Sequence, residues 1–219
     1  MIYPYENLEN FTLKALLERS IKLYADEDAL GKVGKKAMKY SEFNALVHDM
    51  IKLLQANGIV KGDKVLLLSE NMPNWAVAYF ATTYFGAVIV PVLPDFHPSD
   101  VHRIIKHSEV KAAFASNKFQ NTVHECDDHA LKFMINLDEL KIIDEFSDKN
   151  YIAQLNPQSD IQITKPQEDD LATLIYTSGT TGNSKGVMLS HKNLVTNALS
   201  AHKHIKIHRD DVWLSILPL

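Results

Sequence analysis

The sequence predicts an α/β fold with a mostly parallel sheet flanked by helices. The first observation is alternation: Val65–Leu68, a helix opening at Pro73, Ala87–Val92, a helix after Pro98, and Ala112–Ala115 follow one another as apolar run, helix, apolar run. The second is that these runs are continuously apolar. Strands buried on both faces read this way, as they do in parallel sheets covered by their own crossover helices. The third is composition. In 219 residues, 46% are hydrophobic and 23% charged, enough apolar surface for one large domain or two small ones.

Each element has a local cause. Thr12 can cap a helix whose apolar residues Leu13, Leu16, Leu17, Ile21 and Tyr24 recur at three- and four-residue spacing. Two short apolar pieces, Ala29-Leu30 and Ala37–Tyr40, flank Gly31 and Gly34 and predict a small hairpin. Ser41 opens a second helix with Phe43, Leu46, Val47, Met50, Ile51 and Leu54 on one side, stopped at Asn57-Gly58. Trp75 to Pro94 holds twenty uncharged residues, about a membrane span, but Thr82, Thr83, Gly86 and Pro91 break it into a buried helix and a buried strand. An acidic, aperiodic stretch from about Asp144 to Asp170, with Pro157 and Pro166, reads as a linker. It divides the chain into an N-terminal α/β subdomain, 1–165, and the start of a second subdomain, 166–219.

Charge and cysteine use narrow the function classes. Lys and Arg number 23 against 27 Asp and Glu, a net charge of −4, so nothing calls for a nucleic acid partner. Cys126 is the sole cysteine and suits a reducing compartment. The N-terminal Met1–Asn7 carries no basic segment leading into an apolar run, so a cytoplasmic location is expected, with no transmembrane segment and peripheral membrane association left open. His124 and His129 nearly spell a zinc-protease helix, but five-residue spacing puts them on different faces. His202, His204 and His208 read as a solvated helix end rather than a metal site.

The chemistry concentrates after the linker. An apolar strand, Leu171–Tyr176, feeds Thr177-Ser-Gly-Thr-Thr-Gly-Asn-Ser-Lys185-Gly186, where three of the eight glycines fall within eight positions. Glycines let backbone N–H groups turn toward an anion, hydroxyls add donors, and the lysine adds a point charge; this is what polyphosphate binding demands. An ordinary nucleotide P-loop would need Gly-Lys-Ser/Thr leading into a helix. Here Lys185 stands between Ser184 and Gly186, and Val187–Ser190 reads as another strand, with a helix only after His191.

Tyr176-Thr-Ser-Gly-Thr-Thr-Gly-Asn-Ser-Lys-Gly-Val-Met-Leu-Ser-His191 resembles the phosphate-loop signature of the adenylate-forming enzymes, the superfamily of acyl-CoA synthetases, nonribosomal-peptide adenylation domains and beetle luciferase. Supporting similarity runs through Gly62–Leu68, Asn74-Trp75, Gly86–Val92 and Trp213–Leu219, so nearly the whole chain matches the N-terminal part of that fold. The wording of 170–191 is most similar to the long-chain fatty acid CoA ligases. The resemblance implies a fatty acid activated by ATP to an acyl adenylate with release of pyrophosphate, then transferred to CoA with release of AMP. Thr177, Ser178, Gly179, Thr180, Thr181, Gly182 and Lys185 would bind nucleotide phosphates, and Thr180 would contact Mg2+. Many members have proline before the lysine; this chain has Ser184. The adenine-contacting aromatic with its Thr-Glu pair, the ribose-binding aspartate and the catalytic lysine would follow Leu219, which itself sits in an apolar run expected to be a strand. On that reading the chain is an N-terminal fragment, inactive alone and without a catalytic residue of its own. An adenylation enzyme for an aryl or amino acid, and a non-catalytic nucleotide-binding or interaction module, are the alternatives.

Overall fold

A computed structural model describes residues 8–128, 130–143, 164–177, 185–205, 208 and 211–217. The chain opens with α1 (Leu13–Tyr24), capped by Thr12, whose hydroxyl accepts from the Ala15 N–H at 3.1 Å. Strands β1 (Asp28–Leu30) and β2 (Met38–Lys39) form the small antiparallel hairpin, turned at Gly34 with φ 73°. Helix α2 (Tyr40–Ala56) starts one residue earlier than Ser41, because the Glu42 carboxylate reaches back to the Lys39 N–H at 2.8 Å and satisfies a donor at the helix start.

The strand–helix rhythm then holds: β3 (Lys64–Leu68), α3 (Pro73–Tyr84), β4 (Val88–Val92), α4 (Pro98–Ser108) and β5 (Ala112–Ala115). Short α5 (Gln120–His124), β6 (Phe133–Asn136) and two-residue β7 (Lys141–Ile142) complete this part; elements this short carry too few residues to show a period. After residue 164 come β8 (Leu171–Thr177), β9 (Lys185–Ser190) and α6 (His191–His204). The linker expected at 144–170 lies outside the described residues up to 163.

Seven strands make one sheet in the order β7-β6-β5-β3-β4-β8-β9. The five from β6 to β8 run parallel and the two outer pairs, β6–β7 and β8–β9, antiparallel. Strands on either side of the 165/166 division therefore share this sheet. Side-chain alternation splits the apolar runs between two cores. Val65, Leu67, Ile89, Phe114, Phe133 and Ile135 face α2 and α3; Leu66, Leu68, Val90, Val92, Ala113, Ala115 and Met134 face α4 and α5. Each of those side chains is buried, so the absence of polar positions in the runs follows from helices on both faces. Trp75–Pro94 is α3 followed by β4, as its interruptions indicated, and among the described residues no helix is long and apolar enough to cross a membrane.

Leu219, expected in a strand, lies outside the described residues. Ahead of it residues 211–216 form no strand, and Val212, Trp213, Leu214, Ile216 and Leu217 are exposed. A strand requires a neighbour to pair its N–H and C=O groups; here the Asn71 amide reaches the segment instead, donating to the Leu217 carbonyl at 2.6 Å and to Ser215 Oγ at 3.1 Å. Apolar composition alone could not show that.

Candidate phosphate-binding hairpin

Strands β8 and β9 form an antiparallel hairpin in which Tyr176 opposes Gly186 and Thr177 opposes Lys185. The register sets Thr177 and Lys185 at the neck of a seven-residue connection, their Cα atoms roughly 5 Å apart as in any antiparallel pair. Both side chains are exposed there. Ser178, Gly179, Thr180, Thr181 and Gly182 lie outside the described residues. Of the seven predicted phosphate-binding residues, then, the fold brings Thr177 and Lys185 to face one another. Lys185 opens a strand and not a helix, which separates this loop from a P-loop.

Gly186 has a steric reason. A Cβ there would lie 2.9 Å from Leu174 Cδ1 and 3.5 Å from the Tyr176 ring, so a side chain would press on the buried face of β8. Tyr176 is buried, and its hydroxyl lies 2.6 Å from His107 Nδ1 on α4, the two rings perpendicular with centroids 5.7 Å apart. Three residues earlier and on the other face of the strand, the Thr173 hydroxyl lies 2.6 Å from the Tyr79 hydroxyl on α3. These ties join residues 69 and 94 positions apart, which local periodicity could not find.

The base of the hairpin is clamped to the first helix. The Ser190 hydroxyl accepts from the Asn193 N–H at 3.2 Å, and the Asn193 side-chain oxygen accepts from the Ser190 N–H at 3.0 Å, a reciprocal cap that starts α6. His191 is fully buried, donates its backbone N–H to the Asp170 carbonyl at 3.1 Å, and accepts the Leu13 N–H at Nδ1 at 3.2 Å. With Nδ1 accepting, the neutral ring carries its proton on Nε2, which is buried and has no hydrogen-bond partner among the described residues. Burial pushes the His191 pKa down to about 4; nearby Asp170 opposes this and Lys61 adds to it. Burial works against ionisation of Asp170 too, but the Gln167 N–H and the Lys61 ammonium at 2.6 Å outweigh it and hold that carboxyl below its usual range. The Phe11 N–H, donating at 2.9 Å, and Lys192 do the same for half-buried Glu168.

Among the described residues no group of three His, Cys, Asp or Glu side chains could hold a metal ion. His129 and the side chains of His202 and His204 lie outside the described residues.

The AMP-binding enzyme family profile matches residues 17–219, from α1 through the hairpin and α6. The chain belongs to the AMP-binding enzyme family. Among curated relatives of this AMP-binding enzyme, fatty acyl-CoA synthetase A of Dictyostelium discoideum is 30% identical over 74% of the chain and 26% of its own length. The 4-coumarate:CoA ligase 1 of Petunia hybrida is 28% identical over 99% of the chain and 38% of its own length. Among solved structures, O-succinylbenzoate coenzyme A synthetase of Bacillus subtilis in complex with AMP superposes with a TM-score of 0.75 at 26% identity, covering 92% of the chain and 49% of that structure. The chain thus spans between a quarter and two-fifths of these two curated relatives. The fold is the α/β fold of the N-terminal domain of adenylate-forming enzymes, and the relatives are acyl- and aryl-CoA ligases.

Proposed function

We propose that this chain is the phosphate-gripping part of an ATP-dependent, AMP-forming acyl-CoA synthetase whose acid is a fatty acid. The observation that carries the reading is the hairpin neck, where Thr177 pairs opposite Lys185 at the ends of a Ser/Thr/Gly connection. This donor set suits a polyphosphate: one point charge, neutral hydroxyls, and glycines that leave backbone N–H groups accessible. In the reaction a carboxylate oxygen bonds to the α-phosphorus of ATP, the bond from that phosphorus to the bridging oxygen breaks, and pyrophosphate leaves with the electron pair. The thiol of CoA then attacks the acyl carbonyl, loses its proton and displaces AMP.

Displacement at phosphorus asks for positioning and charge neutralisation more than for a protein nucleophile. Lys185 would neutralise the departing pyrophosphate, and Thr177, with Ser178, Gly179, Thr181 and Gly182, would hold the β- and γ-phosphates in line. Mg2+ would supply further neutralisation, with Thr180 as its contact on this chain. The fatty acid reading is supported by the wording of 170–191 and by the Dictyostelium relative; the Petunia relative, named for 4-coumarate, favours an aryl acid as the second reading. Pyrophosphate release by the full-length protein, profiled over fatty, aryl and amino acids with CoA, tests both. Highest kcat/KM on fatty acids is expected; preference for 4-coumarate would replace the first reading by the second, and no ATP-dependent release with any acid would remove both.

A further inference from the structure

Strand β8 delivers Thr177 to the hairpin neck, yet its parallel ladder to β4 is short, pairing Ile89 with Thr173. From Leu174 to Thr177 the backbone pairs with β9 alone, and β9 is the outermost strand of the sheet, largely exposed. Beyond Thr173 the last four residues of β8 still run beside β4, but the parallel ladder gives them no further pairing, so side chains must fix how they sit. Side chains tie the strand on both faces, at Thr173 where the ladder ends and at Tyr176 beyond it. Tyr79 of α3 holds Thr173 at 2.6 Å, and His107, in the last turn of α4, holds the Tyr176 hydroxyl at 2.6 Å. Tyr176 is the last buried residue before the neck, its ring lies in the core formed with α4, and Gly186 opposite leaves room for it.

We propose that His107 is a positioning residue: through the Tyr176 hydroxyl it fixes the end of β8 and so sets where Thr177 and Lys185 meet the polyphosphate. The proposal rests on the phosphate-binding reading above. A bond at Tyr176 acts one residue before Thr177 and directly across from Gly186, the neighbour of Lys185, so its loss is felt at the neck before it is felt in the main sheet.

Kinetics and hydrogen exchange test it together. In the full-length protein, His107→Ala and Tyr176→Phe should each raise KM for MgATP about threefold to tenfold, the worth of one hydrogen bond, with KM for the acid unchanged. The Ser108 hydroxyl also bonds the Tyr176 hydroxyl, so the double variant should be no worse than Tyr176→Phe alone, and His107→Asn, whose amide can stand where Nδ1 stands, should restore most of the affinity lost in His107→Ala. In the 219-residue chain, exchange of the Lys185–Ser190 amides should rise in His107→Ala while β3 and β5 keep their protection. Multiplicative single effects, or equal rises in both KM values, would overturn the proposal. If the wild type releases no pyrophosphate from ATP, the functional reading falls, and exchange alone decides the positioning role: unchanged β9 exchange in His107→Ala would refute it.

Discussion

Acid should loosen the joint between α1 and α6, and the cause is one imidazole. His191 is fully buried, its Nδ1 accepts the Leu13 N–H at 3.2 Å, and its pKa is pushed down to about 4 from an ordinary value near 6.5. A proton added at Nδ1 would set two N–H groups against each other in a site closed to water. Above pH 6.5 the ring is neutral in both the folded and unfolded chain and contributes no pH dependence. Between pH 6.5 and 4 the unfolded chain binds the proton and the folded chain does not, so stability falls as pH falls. The loss from this group should be about 2 kcal/mol at pH 5 and approach about 3 kcal/mol below pH 4. Carboxylates titrate over part of the same range, so the measurement is a difference. Asn offers a side-chain oxygen where Nδ1 stands and does not titrate, so urea unfolding of wild type and His191→Asn from pH 7.5 to 4.5 isolates the imidazole. Wild type should lose about 2 kcal/mol more than the variant between pH 7 and 5. Parallel pH profiles would refute the account, and with it the assignment of the Leu13 bond to a neutral ring.

Three further outcomes are expected. Lys185→Ala should slow ATP-dependent adenylate formation in the full-length protein by roughly 10- to 150-fold, the worth of a charge-assisted hydrogen bond, with the thermal midpoint of the ligand-free protein unchanged because Lys185 is exposed; stopped-time pyrophosphate assays read it. Phe114, fully buried in central strand β5, leaves a cavity when truncated, and Phe114→Ala should cost about 3–5 kcal/mol in urea unfolding. Gly86 has φ 87°, and a Cβ there would lie 3.0 Å from Lys61 Cγ, so Gly86→Ala should cost about 1–2 kcal/mol by the same measurement and shift Lys61 from Asp170.

The sequence showed these features unequally, for physical reasons. Thr12, the Leu13/Leu17 stripe, Pro73 and the run Val65–Leu68 act within one turn or one strand, and each produced the element expected of it. The order of strand, Gly- and hydroxyl-rich connection and second strand was legible for the same reason, because Leu171–Tyr176 and Val187–Ser190 are contiguous with it; that the second strand begins at Lys185, opposite Thr177 at the neck, was not. What holds that neck was not legible. Thr173 and Tyr176 read as ordinary strand residues, and strand alternation puts them on opposite faces, but nothing near them names Tyr79 or His107 as their partners. Those partners are set by the crossing of the sheet, which sends α3 to one face and α4 to the other.

The same topology explains why an apolar run is exposed at 213–217 and buried at 65–68. Leu66 and Leu67 are buried because β4 and β5 pair with β3 on both sides and helices cover both faces. Trp213 and Leu214, also large hydrophobic side chains, have no paired strand beside them among the described residues and stay exposed. Burial is thus a property of what the sheet places alongside a segment, and the run's composition supplies only the readiness to be buried. A loop that must hold phosphate is subject to the same logic. Its glycines and hydroxyls give the capacity to bind, whereas the two ties on β8, one from each face, decide where that capacity is presented.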